Sequence, residues 1–402
     1  MRVLEISNQA ELRQLMREIK VDPYGIKIMV PKGIVRLVRV DSLSNIAANI
    51  LKQEMLSLGG DVAVARGALT GQTKKTDCLV IGSLSQLAGL KKKLYRQPFG
   101  LGRLADRIDR SLSNYHKNNY SIDLGSRRLV VGKRPLIMGV INLTPDSFSG
   151  DGFYRQGRSR AAQLSAIIEY AQKIIGEGAD IIDIGGESSR PQAPAIPQGL
   201  EAKRVIPVIK AMAKKIKAPI SIDTYKPQTA RLALENGALI INDISGLRNR
   251  RMIETAARHK CAVVAMHMRG TPRTMQKDPR YECLIKEIMQ FLDAAIRRAA
   301  DAGISRERII VDPGIGFGKT VEDNLRILKS LKEFKVLGCP VLVGPSRKSF
   351  IGKITAQPVE QRLCGTIASC VLAAQNGAKI IRVHDVKQAK EALKIWEAIS
   401  YA

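Results

Sequence analysis

The stretch KIIRVHDV, residues 379–386, is apolar except for its opening lysine, an arginine and a histidine two positions apart, and an aspartate. Read as a strand, it turns Arg382 and His384 to one face and Ile381, Val383 and Asp385 to the other. An unpaired charge inside a fold costs about 3–5 kcal/mol, so Arg382 needs an anion, either an internal carboxylate or a bound ligand. The stretch alone leaves both open. Seven earlier apolar runs give it a fold: LIMGVI (136–141), DIIDIG (180–185), PISIDT (219–224), ALIINDI (238–244), AVVAMH (262–267), IIVDPG (309–314) and PVLVGP (340–345).

Amphipathic patterns separate these runs. In RAAQLSAIIEYAQKIIGEGA, from residue 160, Leu164, Ile167, Ile168, Ala171, Ile174 and Ile175 share one helical face. Gly178, Gly237, Gly303 and Gly377 stop helices just before the next strand. Strands that are apolar throughout belong to a parallel sheet covered on both faces. Eight strand–helix units in about 265 residues predict a (β/α)8 TIM barrel over 133–402.

Residues 1–132 break the rhythm and predict a smaller N-terminal α/β domain. Its candidate strands are GIKIMV, IVRLVRV, DVAVARGAL and DCLVIGS, with helices near residues 10–19, 43–58 and 85–95 and a helix-plus-linker in GLGRLADRIDRSLSNYHKNNY. GIKIMVPKG (25–33) reads as a turn between strands. No chemical constellation stands out in this domain.

Composition narrows the partners. Lysine and arginine total 65 against 37 acids, a net charge of +28, but the surplus is spread: +11 over 1–132 and +17 over the remainder. The longest basic run is KKK at 91–93. A generally basic surface attracts phosphorylated small molecules without the concentrated patch that nucleic acid calls for. Aromatic residues are 4% of the chain, too few for base-stacking platforms, so no nucleic-acid partner is expected. Six cysteines without CxxC spacing and four histidines argue against a zinc cage. With no signal-like opening and no run of 18 apolar residues, a cytoplasmic chain with no membrane partner is expected.

Polar residues at the C-terminal ends of barrel strands are where such folds place chemistry. Here they are Asn142, Glu187 with Arg190, Asp223, Asn242, His267, Asp312, Ser346 with Arg347 and Lys348, and Arg382 with His384. Asp223 and Asp312 accept, Asn242 does both, and Lys348 donates, a mixture suited to a flat heterocycle with an amidine-like edge. Arg382 and His384 add positive charge, and Asn142 a carbonyl oxygen of the kind Mg2+ takes. Together they describe a heterocycle attached to phosphate. PGIGFGKT (313–320) ends like a Walker loop, but Pro313 stands where that pattern needs glycine.

At these residues the chain resembles the dihydropteroate synthases. The matching stretches are MGVINLTPDSFSGDG, DIGGESSRP, SIDT, INDISG, MHMRGTP, DPGIGFGKT, GPSRKSFIG and RVHDV, in the family's order. The resemblance implies a Mg2+-assisted condensation of dihydropterin-CH2-diphosphate with 4-aminobenzoate, through SN1-like loss of pyrophosphate. It implies a pterin pocket of Asp223, Asn242, Met266, Asp312, Gly344 and Lys348. Asn142, Arg382 and His384 would meet the diphosphate, Asn142 also binding the metal. Ser189, Arg190, Pro191, Phe317 and Ser346 would meet the aminobenzoate, and loops 143–157 and 186–198 would act as lids, Asp146 and Phe148 closing over the reacting centre. The catalytic set is then Lys348, Asp223, Arg382, His384 and Asp146. The family commonly dimerises, which points to the segments near 358–376 and 386–399 as a homodimer face. Two positions depart from the pattern: Ser189 replaces the usual threonine, and Pro345 sits at a variable turn. Typical bacterial members lack the domain 1–132. A pterin-binding methyltransferase using methyltetrahydrofolate shares the ring recognition but has no use for SRKSF and RVHDV.

Overall fold

The computed structural model describes residues 1–6, 8–144, 159–188 and 193–401. The chain folds into two compact units, Met1–Ser113 and Asn114–Ala402.

In the first unit, β1 (Val35–Ser44), β2 (Asp61–Val64) and β3 (Lys75–Ser83) form an antiparallel sheet in the order β1-β3-β2. Ser83 starts the helix Leu84–Leu94 with a capping box, its Oγ accepting from Gln86 N while Gln86 Oε1 accepts from Ser83 N. That helix and Asn45–Leu56 bury Leu51, Met55, Leu87, Leu90 and Leu94 against Val40, Val62, Cys78 and Val80 of the sheet. The stretch GIKIMV is not a strand, and GIKIMVPKG is not a turn: both lie in a helix, Pro23–Gly33. Asp22 caps it, accepting from the amides of Tyr24 and Gly25, and Pro23 fills the first position, where no amide is needed. Ile26 and Val30, four apart, are its buried residues, and that helical spacing outweighs β-branched composition.

The second unit begins with a hairpin, β4 (Tyr120–Asp123) and β5 (Arg128–Val131), ahead of the barrel's first strand. Tyr120, Ile122, Leu124 and Val131 pack with Leu136, Ile181, Ile240, Ala262, Leu342 and Ile380, residues at the starts of barrel strands. The hairpin therefore plugs the N-terminal end of the barrel, and Arg308 pins it through Asp123 at 2.7 Å.

Among the described residues eight parallel strands follow: β6 (Leu136–Asn142), β7 (Ile181–Gly185), β8 (Ile220–Asp223), β9 (Ile240–Asp243), β10 (Ala262–Met266), β11 (Ile309–Asp312), β12 (Leu342–Val343) and β13 (Ile380–Val383). Their order is β11-β10-β9-β8-β7-β6-β13-β12, and a bridge between Val311 and Val341 closes the circle. The fold is a TIM barrel. Outward residues such as Ile182, Ile222, Val263 and Ile381 form one apolar core with the surrounding helices. The predicted face of Arg160–Gly176 is realised: Ile167, Ile168, Ala171 and Ile174 are buried behind a Ser159 cap. No helix of the described residues is long and apolar enough to cross a membrane.

Candidate active site

Strand alternation sends Arg382 and His384 into the barrel and Ile381 and Val383 outward, since the latter two belong to the helix-facing core. Arg382 finds two anions. Its Nε donates to Asp183 Oδ2 at 2.6 Å and an Nη to Asp223 Oδ2 at 2.7 Å. Of the two readings the sequence left open, the protein realises internal pairing for the arginine. One guanidinium cannot neutralise two acids. Burial, reinforced by Asp183 and Glu201 and opposed by Arg382 and Lys348, pushes Asp223 up to about 7.

His384 has different neighbours. Asn142 Nδ2 lies 3.4 Å from its Nε2 and Ser346 Oγ 3.0 Å from its Nδ1. With the Asn142 amide donating to Nε2, the ring carries its hydrogen on Nδ1 and donates it to Ser346 Oγ. Ser346, expected beside the aminobenzoate, is thus tied to the histidine expected beside the diphosphate.

Across the mouth, Asp312 is buried and accepts from Gly314 N at 2.6 Å. Burial pushes it up to about 6, with Lys348, Lys319 and Arg382 pulling the other way. The Lys348 ammonium stands 4.2 Å over the Phe317 ring. Its stem crosses Gly316, where an added Cβ would come 3.0 Å from Lys348 Cδ and φ is +82°. At Gly314, φ +73°, a Cβ would lie 1.9 Å from His267 O, so the turn can close on β10 only as glycine. Phe317 joins Met266, Ile244, Met268 and Met275, with Tyr225 against them, in an apolar cluster distinct from the main core.

The lysine of the GFGKT stretch points inward. Lys319 is buried, its Nζ 3.0 Å from His267 Nδ1 and from Phe317 O. Burial pulls it down to about 7 and pushes His267 down to about 2. It braces the glycine turn from within.

A cavity of about 450 Å³ opens beside Asp223, walled by Ile244, Met268, Tyr225, Arg248 and Glu187. Glu187 anchors the neighbouring loop: it takes Lys226 Nζ at 2.6 Å and Tyr225 OH at 3.0 Å, and the same ammonium reaches Ile196 O.

The described candidates therefore meet at one end of the barrel. Asn142, His384 and Ser346 form one chain of contacts, while Arg382, Asp223 and Asn242 form another through Asp183. Lys348, Phe317 and Met266 stand by Asp312, and Gly344 lies at ordinary contact distance, 3.6 Å for an added Cβ, from Arg382. Asp146, Phe148, Ser189, Arg190 and Pro191 lie outside the described residues. Asp183 was not among the predicted site residues. An acid at mid-strand, with apolar neighbours on both sides in DIIDIG, is the same signal that Arg382 gives, and it was legible there.

A family model described as pterin binding enzyme matches residues 138–384. The chain belongs to the pterin-binding enzymes, in the dihydropteroate synthase family. A dihydropteroate synthase of Synechocystis is 46% identical over 67% of this chain and 91% of that protein. A Xanthomonas albilineans dihydropteroate synthase, solved with 4-aminobenzoic acid, matches with TM-score 0.65 at 40% identity over 71% of this chain and 100% of that one. A complex of the enzyme from that organism with 7,8-dihydropteroate gives 0.62 at 38% over 70% and 99%. A probable bifunctional folylpolyglutamate synthase/dihydropteroate synthase of Halobacterium salinarum is 35% identical over 98% of this chain and 46% of that protein, so its similarity runs through the N-terminal unit as well. The chain is accordingly a transferase of the dihydropteroate synthase type.

Proposed function

We propose that the chain condenses (7,8-dihydropterin-6-yl)methyl diphosphate with 4-aminobenzoate to give 7,8-dihydropteroate and pyrophosphate. The observation that supports this most is the division of the barrel mouth into two polarities. Acids and an amide (Asp312, Asp223, Asn242) line one side, beside an apolar wall of Met266, Ile244 and Phe317; Arg382, His384 and Asn142 line the other.

The ring would lie with its N–H edge on Asp312 and Asp223, each accepting in its carboxylate form, and with Lys348 donating to the carbonyl side. When the ring takes Asp223, Arg382 loses one of its two anions and turns its remaining donors to the diphosphate. The C–O bond to diphosphate then breaks, the ring bears the developing positive charge on its CH2, and Arg382 and His384 stabilise the departing oxyanion. The aniline nitrogen of 4-aminobenzoate, uncharged near neutral pH, forms the new C–N bond and releases a proton. Ser346, hydrogen-bonded to His384, offers a hydroxyl to the carboxylate of that second substrate.

Mg2+ belongs to this reading. Among the described residues no group of three histidine, cysteine or acidic side chains could cage a metal, which fits an ion that keeps its waters and is held mainly by phosphate oxygens. Asn142 suits it: with Nδ2 directed at His384, its amide oxygen is left to serve as a ligand. Bound there, Mg2+ would neutralise charge on the diphosphate as it leaves.

A coupled assay of pyrophosphate release with both substrates, with Mg2+ and with chelator, tests the proposal. Release that needs both organic substrates and Mg2+ is expected. Methyl transfer from methyltetrahydrofolate to a corrinoid, with no pyrophosphate released, would replace it.

A further inference from the structure

The hydrogen bonds of the mouth converge on a carboxylate to which the reaction above gives no part. Asp183 lies on β7, wholly buried, and one atom of it does double duty: Oδ2 accepts from Arg382 Nε at 2.6 Å and from Asn242 Nδ2 at 3.1 Å. A single oxygen thus links the cation assigned to the leaving group with the amide assigned to the ring. Among the described residues its other oxygen, Oδ1, has no hydrogen-bond partner, and neither has Ser221 Oγ on β8, whose residue is the register partner of Asp183.

Stability does not account for this arrangement. A buried carboxylate with one oxygen unbonded is costly, and well-packed apolar side chains commonly match or exceed a buried ion pair. The neighbouring interior positions Ile181 and Met138 show that apolar residues fit this part of the barrel.

We propose that Asp183 is a positioning residue that holds both halves of the site in register, a role that rests on the synthase reading above. In the free protein Arg382 spans Asp183 and Asp223. Once the ring occupies Asp223, Asp183 is the anion that keeps the guanidinium at the mouth, directed at the leaving oxygen instead of following Asp223 or Asp312. Because a carboxylate only accepts, it also fixes which end of the Asn242 amide faces inward, so the amide oxygen and the second N–H are presented to the ring. Small misplacements of such groups are amplified in rate.

The test is Asp183→Asn in the full chain, beside wild type and Ser221→Ala, which removes an unbonded hydroxyl from the same interior layer. Calorimetry with inorganic pyrophosphate and, separately, with 6-hydroxymethyl-7,8-dihydropterin should show both affinities weakened about tenfold in Asp183→Asn. Its kcat/KM for the dihydropterin diphosphate should fall about 10²-fold, with KM for 4-aminobenzoate and all constants of Ser221→Ala at wild-type values. Should Asp183→Asn not accumulate as folded protein, Asp183→Ser, neutral and smaller, is read the same way. Unchanged affinities, loss of one affinity without the other, or equal losses in Ser221→Ala would each overturn the proposal. A wild-type chain that releases no pyrophosphate would overturn the synthase reading itself, a result the wild-type arm reports separately.

Discussion

The two units of the chain bury different things. Among the described residues, the buried polar side chains of Met1–Ser113 are Thr76 and Ser83, and its core is otherwise apolar. The barrel unit buries four acids, Asp183, Glu201, Asp243 and Asp312, two lysines, Lys319 and Lys379, and His267. Buried charge costs stability unless it is paired, and in the barrel unit part of it, Asp183 and Asp312, stands at the candidate site while the rest makes structural contacts. The first unit should then be open to core changes without catalytic consequence, and the second should not.

The sharpest way to break that contrast is Lys348→Ala. On the proposed reading its ammonium donates to the reacting ring, so its loss should lower kcat about 10³-fold, with an unchanged melting curve, and normal pyrophosphate release would remove the lysine from the site. Arg382→Ala comes next. It should lower kcat/KM for the diphosphate substrate about 10²-fold and, by stranding Asp183, cost about 3–5 kcal/mol in denaturant unfolding. An effect confined to 4-aminobenzoate affinity would contradict the assignment.

A smaller and graded effect is expected from pH. In the proposed reaction Asp223 and Asp312 accept from the ring as carboxylates, and burial raises them to about 7 and about 6. Activity should therefore fall as pH drops through that range, about tenfold per unit once the first of them is protonated. Stability of the substrate-free protein runs the opposite way. A carboxyl raised above its ordinary 3.8 binds its proton more tightly folded than unfolded, so these two groups withdraw stability as pH rises from 3.8 toward 7. A kcat/KM profile flat from pH 5 to 8 would argue that neither group titrates in this range.

Least of all should be Leu51→Ala in the first unit. Leu51 is fully buried among Ala47, Met55 and Val80, so the truncation should cost about 2–5 kcal/mol in the unfolding of that unit while leaving kcat/KM within about twofold. A proportionate loss of activity would show that the two units work as one.

The barrel was legible because its signal repeats: eight apolar runs, each closed by a polar residue, survive local errors in any one of them. PVLVGP illustrates the tolerance, since two residues of it, Leu342 and Val343, form the strand proper. The site was legible where strand ends carry charge, and Asp183 was passed over because it lies one turn of the pleat below the end. GIKIMV misled because β-branched content was read ahead of the Asp-Pro start signal at 22–23. The hairpin Tyr120–Val131 follows the stretch read as helix and linker, overlapping it only at Tyr120, and its four-residue strands carry little signal because their partners, the first residues of barrel strands, are distant in sequence.

The closure of the barrel is uneven. Most neighbouring strands share three to five paired residues, whereas β11 meets the β12 segment through one bridge, Val311 with Val341. In a cylinder held by ladders of amides, the thinnest ladder is where breathing starts. This one stands between Asp312 and the turn bearing Lys348, so the place proposed for the ring borders the stave that loosens first, and amide exchange should be quickest there among the barrel strands and slow most when the ring is seated.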